Sequence, residues 1–236
     1  MKKKIDLYGD DIGFVQLVDS LGDDLSVVNS ARVSFGKHKA QLEEQDKKLI
    51  SYLIAHRHTS TLEHCVMTLR FKVPLFISKQ HMRHRTWSYN EISRRYTNFN
   101  IEFYEPQAFR AQHESNRQAS TSALVDPKVI YHSVPNGASS TASQLVKNHN
   151  GASLRLYEAL LDAGVCREQA RGVLPQNIYT EYYGTANLNN ILKFIALRTH
   201  PGAQWEIQQV ANAVLDIAKD LFPVTVKAFI KEKNVV

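Results

Sequence analysis

An α+β fold is what this sequence predicts: a single domain with a central, mostly antiparallel sheet flanked by helices, plus a long polar loop insertion. Three observations carry it. Cys65, Met67, Leu69, Phe71 and Val73 alternate with His64, Thr68, Arg70 and Lys72, the period-two pattern of a strand with one buried face. Residues 203–221 place Ile207, Val210, Ala211, Val214, Ile217 and Leu221 at three- and four-residue spacing, the pattern of a helix packed on a core. Strand-like and helix-like stretches are also separated irregularly along the chain, without the regular alternation of a βαβ array.

The elements follow in order. Two short apolar runs, residues 5–8 and 14–18, read as opening strands. Residues 25–34 read as a helix behind a cap at Asp23 or Asp24. Residues 42–56 form a second helix, with Leu49, Ile50, Leu53 and Ile54 on one face and Glu43, Glu44, Lys47 and Lys48 elsewhere. Pro74 ends the alternating strand and opens a helix over about 75–83. From about 107 to 151 the pattern weakens into Ser, Asn, Gln and Gly, which predicts a functional loop with a short helix inside it. Helices over 152–162 and 167–173, a strand over 177–185 and a helix over 187–198 restore order. Pro223 stops the 203–221 helix, and a last short helix follows it.

The 236 residues suit one domain, and the 43% apolar content suffices for a packed core. A formal charge of +6 favours anionic ligands and says nothing of the fold. The only cysteines, Cys65 and Cys166, form no CxxC pair, which argues against a structural zinc site and a disulfide scaffold; both read as structural. No apolar run reaches the roughly 20 residues of a membrane span. The opening Met1-Lys2-Lys3-Lys4-Ile5-Asp6 holds no apolar stretch of signal-peptide length. A cytoplasmic location is expected.

The chemistry concentrates in residues 83–96. Four arginines, a histidine, two serines, an asparagine and a glutamate fall within fourteen residues, and no helical or strand amphipathicity accounts for them. Guanidinium forks bind phosphate oxygens in pairs. The interleaved Trp87, Tyr89, Ile92 and Tyr96 suit a loop packed around a planar ligand. If residues 91–95 are extended, Glu91, Ser93 and Arg95 point to one side, a carboxylate acceptor beside two phosphate donors. Gln80, Arg83 and His84, at i, i+3 and i+4, would share a helical face upstream.

This segment resembles the signature of the flavin-dependent thymidylate synthases: Arg-His-Arg, seven residues, then Ser, here Arg83-His84-Arg85 and Ser93. Ser88, Asn90, Glu91, Arg95 and Tyr96 extend the match. So do Ala31-Arg32-Val33-Ser34, Ser60-Thr61-Leu62-Glu63-His64, Arg167-Glu168-Gln169-Ala170-Arg171 with Leu174-Pro175, and Ala203-Gln204-Trp205-Glu206-Ile207. The similarity spans nearly the whole chain except roughly residues 110–150.

The resemblance implies methylation of dUMP to dTMP, with methylenetetrahydrofolate as one-carbon donor and FAD, reduced by NADPH, as hydride source. It implies that Gln80, Arg83, Arg171 and Arg198 contact dUMP. Glu91, Ile92, Ser93, Arg94 and Arg95 would reach its sugar and phosphate from a neighbouring subunit of a homotetramer. Arg198 takes the catalytic position that polarises or ionises the uracil ring; read unaided, an arginine ending the Leu188, Ile191, Ile195 stripe is also a cap on the helix dipole. FAD contacts carry over to Ser34, Ser60, Glu63, Arg83, His84, Arg85, Asn90, Glu91, Asn187, Asn189 and Lys193. The family uses no catalytic cysteine and no metal. Within the insertion, Asn116, Arg117, Gln118 and Ser120 are expected to border the nucleotide site as a flap.

Two other classes compete. A nucleic-acid module would stack bases on Trp87, Tyr89 and Tyr96, but Glu91 lies inside the cluster and no basic stripe continues elsewhere. A metal enzyme would draw on His56, His58, Glu63 and His64, but the histidines lack i, i+4 spacing and no third ligand is indicated. Neither nucleic acid, metal nor membrane is therefore expected as a partner.

Overall fold

The computed structural model describes residues 3–130 and 139–233. The described residues form two compact units, one within Met1–Val73, Ile77–Glu91 and Glu181–Val236, the other within Pro74–Phe76 and Ile92–Thr180.

The first unit is built on a five-stranded sheet. In chain order its strands are β1 (Lys4–Asp6), β2 (Phe14–Leu21), β3 (Val66–Pro74), β4 (Ser88–Glu91) and a strand at Tyr179–Asn187. The Tyr179–Asn187 strand lies between β3 and β4, and β1 and β2 complete the other edge. The pairs β1–β2 and β2–β3 are antiparallel, as is β4 with the Tyr179–Asn187 strand. The alternation seen in the sequence has its physical cause here: Met67, Leu69, Phe71 and Val73 are fully buried, while Thr68, Arg70 and Lys72 are not. Gly184 opposes Tyr89 in this sheet, and a Cβ there would meet the Phe71 ring at 2.9 Å and the Trp87 ring at 3.3 Å. Glycine is what lets both rings lie against the strand.

Among the described residues five helices lie within this unit and one more ends in it: α1 (Asp24–Arg32), α2 (Glu44–Ala55) and, ending here, α3 (Leu75–His81), then three at Leu188–Arg198, Trp205–Leu221 and Pro223–Lys233. Local chemistry sets their ends. Asp23 caps α1 through the Ser26 amide at 2.8 Å, in a capping box. Asn187 caps the Leu188–Arg198 helix through the Asn190 amide at 3.0 Å. Ile191, Phe194, Ile195, Ile207, Val210 and Val214 are fully buried between the two long C-terminal helices and the rest of the core, and each such side chain contributes about 1.5–3 kcal/mol. Buried Asp46 accepts from the Glu43 amide at 2.9 Å, Arg32 at 2.5 Å and Lys39 at 3.1 Å. Burial pushes its pKa up, but these donors outweigh it and hold the carboxyl below its usual value. The network fixes the end of α1, just before the 3₁₀ turn Val33–Phe35 that carries Ser34.

The second unit corrects the expectation of a loop with a short helix over 107–151. It holds the antiparallel pair β5 (Phe109–Gln112) and β6 (Ser120–Val125), and a second pair, β7 (Lys128–Ile130) and β8 (Ser139–Thr141). With these strands introduced, the Tyr179–Asn187 strand is β9. The strands escape the sequence because most of their residues are solvated on both faces, so no period-two burial pattern exists to detect. Asn116, Arg117 and Gln118 lie between β5 and β6, and Ser120 opens β6 with its hydroxyl bound by Arg110 at 3.0 Å. Residues 131–138 of the insertion lie outside the described residues. Helix α4 (Ala142–Asp162) begins ten residues before the expected start, where polar Ser, Gln, Lys and Asn mask the helical period. The short α5 (Arg167–Ala170) and a 3₁₀ turn at Arg171–Val173 follow. The helices at Leu188–Arg198, Trp205–Leu221 and Pro223–Lys233 are α6, α7 and α8.

Candidate functional site

In the first unit the site grows from the end of α3. The helix stops at His81, so Arg83 and His84 do not share its face with Gln80 as the spacing suggested. They lie on a turn, closed by the His84 amide donating to the His81 carbonyl at 2.9 Å. The Tyr89 hydroxyl clamps this turn by donating to the His81 carbonyl at 2.9 Å and the His84 carbonyl at 3.1 Å. Burial pushes the Tyr89 phenol's pKa well up, which keeps it a donor.

The turn meets the C-terminal end of α6. Arg198 Nε donates to His84 Nε2 at 3.2 Å and Nη2 to the Gln80 carbonyl at 3.1 Å. Gln80 Nε2 in turn donates to Gln204 Oε1 at 2.6 Å, and Gln204 to buried Glu206 at 2.8 Å. Gln80, His84 and Arg198 are thus brought together by tertiary contact. Burial first, then the Arg198 charge, push the His84 pKa down to about 4. Burial likewise lowers that of Arg198. Arg83 and Arg85 are exposed, and their guanidiniums make no hydrogen bond or ion pair with the described residues.

The aromatic residues of this segment do not form the expected wall around a planar ligand. Trp87 is buried in the protein's own core, edge-on to Phe71, His81 and Phe194 at 6.2, 4.6 and 5.6 Å between ring centres. Buried His81 binds the Tyr182 hydroxyl through Nδ1 at 2.8 Å. Tyr96 and Ile92 do stand exposed.

At the other end of α6, Asn189 is buried and donates to Glu63 at 3.0 Å. Ser60 and Glu63 stand exposed on the 3₁₀ turn Thr59–Leu62 and its cap. Asn189 and Lys193 line a cavity of about 220 Å³ with Leu53, Leu62, Leu192 and Phe229. Asn187 spends its side-chain oxygen on the helix cap. Ser34 and Asn90 are exposed. Glu91 takes a hydrogen bond from Ser78 at 3.4 Å. Asn189 and Arg198 are separated by about 14 Å along α6, at roughly 1.5 Å per residue. At one end of α6 stand exposed cations without a partner among the described residues, and at the other an amide, a lysine and a cavity, donors of the kind that bind anionic groups.

The second unit carries the remaining predicted residues. The expectation that residues 91–95 are extended holds only as far as Glu91, where β4 ends. Beyond it the Tyr96 and Thr97 amides donate to the Ser93 carbonyl at 3.0 and 3.3 Å, closing a turn. Arg94 is spent on structure: it donates to the Phe99 and Asn100 carbonyls at 2.6 and 3.1 Å, and burial lowers its pKa. Ser93 Oγ accepts from the Arg95 amide at 3.3 Å. Arg95 pairs with the Glu168 carboxylate at 3.4 Å, and Arg171 donates to the Glu168 carbonyl at 3.3 Å. Glu168 thus binds two cations through different groups, Arg95 through its carboxylate and Arg171 through its carbonyl, so one carboxylate charge stands against two guanidinium charges.

The sequence missed Tyr89 as a clamp, Gln204 as the partner of Gln80 and Glu168 as the hub for Arg95 and Arg171. The strand period of residues 88–91 would have singled out Tyr89; the other two depend on long-range packing. Cys65 is buried and its thiol pKa is pushed up to about 11 by burial, then by Asp23 and Asp24, so it is an inert core residue; Cys166 is exposed.

Comparisons with known proteins place the chain in a family. Residues 16–224 match the family described as thymidylate synthase complementing protein. A flavin-dependent thymidylate synthase of Thermus thermophilus is 45% identical over 219 residues, covering 93% of this chain and 76% of that protein. One of Thermotoga neapolitana is 42% identical over 221 residues, covering 94% and 92%. The crystal structure of PolB, a UMP/dUMP methylase from Streptomyces cacaoi bound with 5-Br dUMP, superposes with a TM-score of 0.77 at 33% identity, covering 96% of this chain and 97% of that one. With its Arg-His-Arg turn, five-stranded α+β architecture and these relatives, the chain belongs to the thymidylate synthase complementing protein family.

Proposed function

We propose that this protein methylates dUMP to dTMP, taking the one-carbon unit from methylenetetrahydrofolate and releasing tetrahydrofolate. The observation that carries the reading is Arg198, held between His84 and the Gln80 carbonyl, on the turn whose Arg83 and Arg85 guanidiniums have no partner among the described residues. Its Nη1 group has no partner among the described residues and would meet the pyrimidine ring, where a fixed positive charge stabilises negative charge developing on the base. Arg83 and Arg85, with Ser34, Ser60, Glu63, His84, Asn90, Glu91, Asn187, Asn189 and Lys193, would hold FAD. Bound there and reduced by NADPH, FAD supplies the hydride that completes the methyl group.

Ser93, Arg95 and Arg171 would grip the nucleotide phosphate and sugar, with Glu91, Ile92 and Arg94 shaping that turn. We place this half of each site on a neighbouring copy in a homotetramer. Exposed apolar side chains support association: Phe35, Tyr96 and Phe99 are 78%, 78% and 71% exposed, more than a monomer's scattered surface residues need. Nothing in the chemistry calls for a metal or nucleic acid. Among the described residues no helix is long and apolar enough to cross a membrane, and we place the reaction in the cytoplasm.

The test is to incubate the purified protein with dUMP, methylenetetrahydrofolate, NADPH and FAD and to measure dTMP. Formation that stops when FAD is withheld supports the reading. Methylation of UMP in place of dUMP would move the substrate to the ribonucleotide. Absence of any methylated nucleotide from folded, FAD-bound protein would overturn the reading.

A further inference from the structure

We infer that His84 is a positioning residue, a neutral imidazole that aims the Arg198 guanidinium at the substrate. The inference rests on the reading of Arg198 as the group that meets the pyrimidine. A guanidinium can only donate, so the 3.2 Å contact from Arg198 Nε requires His84 Nε2 to be an acceptor and places the ring proton on Nδ1. The Gln80 carbonyl accepts from Nη2 at 3.1 Å. Two acceptors, one on Nε and one on Nη2, fix the plane of the guanidinium and leave Nη1 without a partner among the described residues, where one acceptor alone would let it swing.

The imidazole is itself immobilised. Phe194 of α6 meets it edge-on at 5.0 Å and 81°, and His81 of α3 at 6.2 Å and 63°. Tyr89 of β4 holds the carbonyls on either side of the turn. The titratable groups facing His84 are therefore Arg198, His81 and Tyr89. None is an anion that would favour the imidazolium, and burial with the Arg198 charge keeps the ring neutral through the physiological range. The turn thus supplies two cations from Arg83 and Arg85, and between them a base kept uncharged so that it can accept.

The experiment compares His84→Gln, whose amide oxygen can still accept, with His84→Leu, which cannot, and Tyr89→Phe, which only loosens the turn. Crystal structures of each substrate-free variant report the Arg198 side chain directly, and steady-state kinetics report kcat and the dUMP KM. The expected outcome is a displaced or disordered Arg198 in His84→Leu, with kcat about 10- to 100-fold lower and the dUMP KM within a few-fold. His84→Gln keeps Arg198 in place and recovers most of kcat, and Tyr89→Phe falls between. An unmoved Arg198 in His84→Leu would overturn the inference. So would equal losses of kcat in the Gln and Leu variants with Arg198 in place in both. Wild-type protein that forms no dTMP would sink the functional reading, while the crystallographic comparison would still decide the role of His84.

Discussion

His84 Nε2 accepts a hydrogen bond from Arg198 Nε across 114 residues of sequence. Protonation of His84 would turn this contact into a clash of two cations. Its folded pKa of about 4 lies below the ordinary 6.5. Between those values the unfolded chain takes up a proton that the folded chain refuses. Stability is therefore complete above about pH 6.5, falls as pH drops towards 4, and loses no more to this group below that. His81 adds in the same direction, lowered by burial first and then by His84 and Arg198. Thermal midpoints measured from pH 7 to pH 4 should fall for the wild type, and fall less for His84→Gln. Parallel curves for the two proteins would show that His84 does not carry the effect.

Arg198→Lys keeps a positive charge but loses the planar fork that binds His84 and Gln80 together. Turnover of dUMP should drop on the order of 100-fold, the scale for removing one aligned donor from a developing charge. Thermal unfolding should stay near wild type, since Arg198 is part-exposed and its helix is otherwise intact. Product formation with saturating FAD and dUMP is the measurement.

Arg83→Ala and Arg85→Ala should each weaken FAD binding, because neither guanidinium has a partner among the described residues. A charge-assisted hydrogen bond is worth about 1.5–3 kcal/mol, or roughly 10- to 100-fold in affinity. Flavin fluorescence titrations at fixed ionic strength measure it. The wild-type affinity should also fall as salt is raised, and less steeply in each variant.

Asp24 ties α1 to the start of α8. Its carboxylate accepts from the Val224 and Thr225 amides at 2.8 and 2.9 Å and from the Thr225 hydroxyl at 2.6 Å. Asp24→Ala removes the cap and strands these buried donors, at a cost of about 3 kcal/mol. The thermal midpoint should drop by about 6–12 °C for a chain of this size. A drop of under about 2 °C in differential scanning calorimetry would mean that water replaces the carboxylate without loss.

What the sequence determined by itself is what neighbouring residues encode. The alternation over 64–73, the helical stripe over 203–221, a cap at Asp23 or Asp24 at the head of α1, and Pro74 and Pro223 at element boundaries are all local, because burial on one face imposes a period and caps act within one turn. The density of arginines over 83–96 is legible for the same reason, as a property of neighbouring residues. Tertiary structure decided the rest. Trp87 and Tyr89 turn inward because Gly184 leaves room on β9 for the Phe71 and Trp87 rings, a fact about a strand nearly a hundred residues away. Arg94 closes its own turn while Arg95 reaches Glu168, a division of labour that two adjacent arginines cannot announce. The strands within 107–151 bury too little to leave a pattern. Asp24 finds Thr225, and His84 finds Arg198, only because sheet order and helix packing bring distant segments within hydrogen-bond reach. A donor and an acceptor carry no sequence mark of each other until the fold sets them about 3 Å apart.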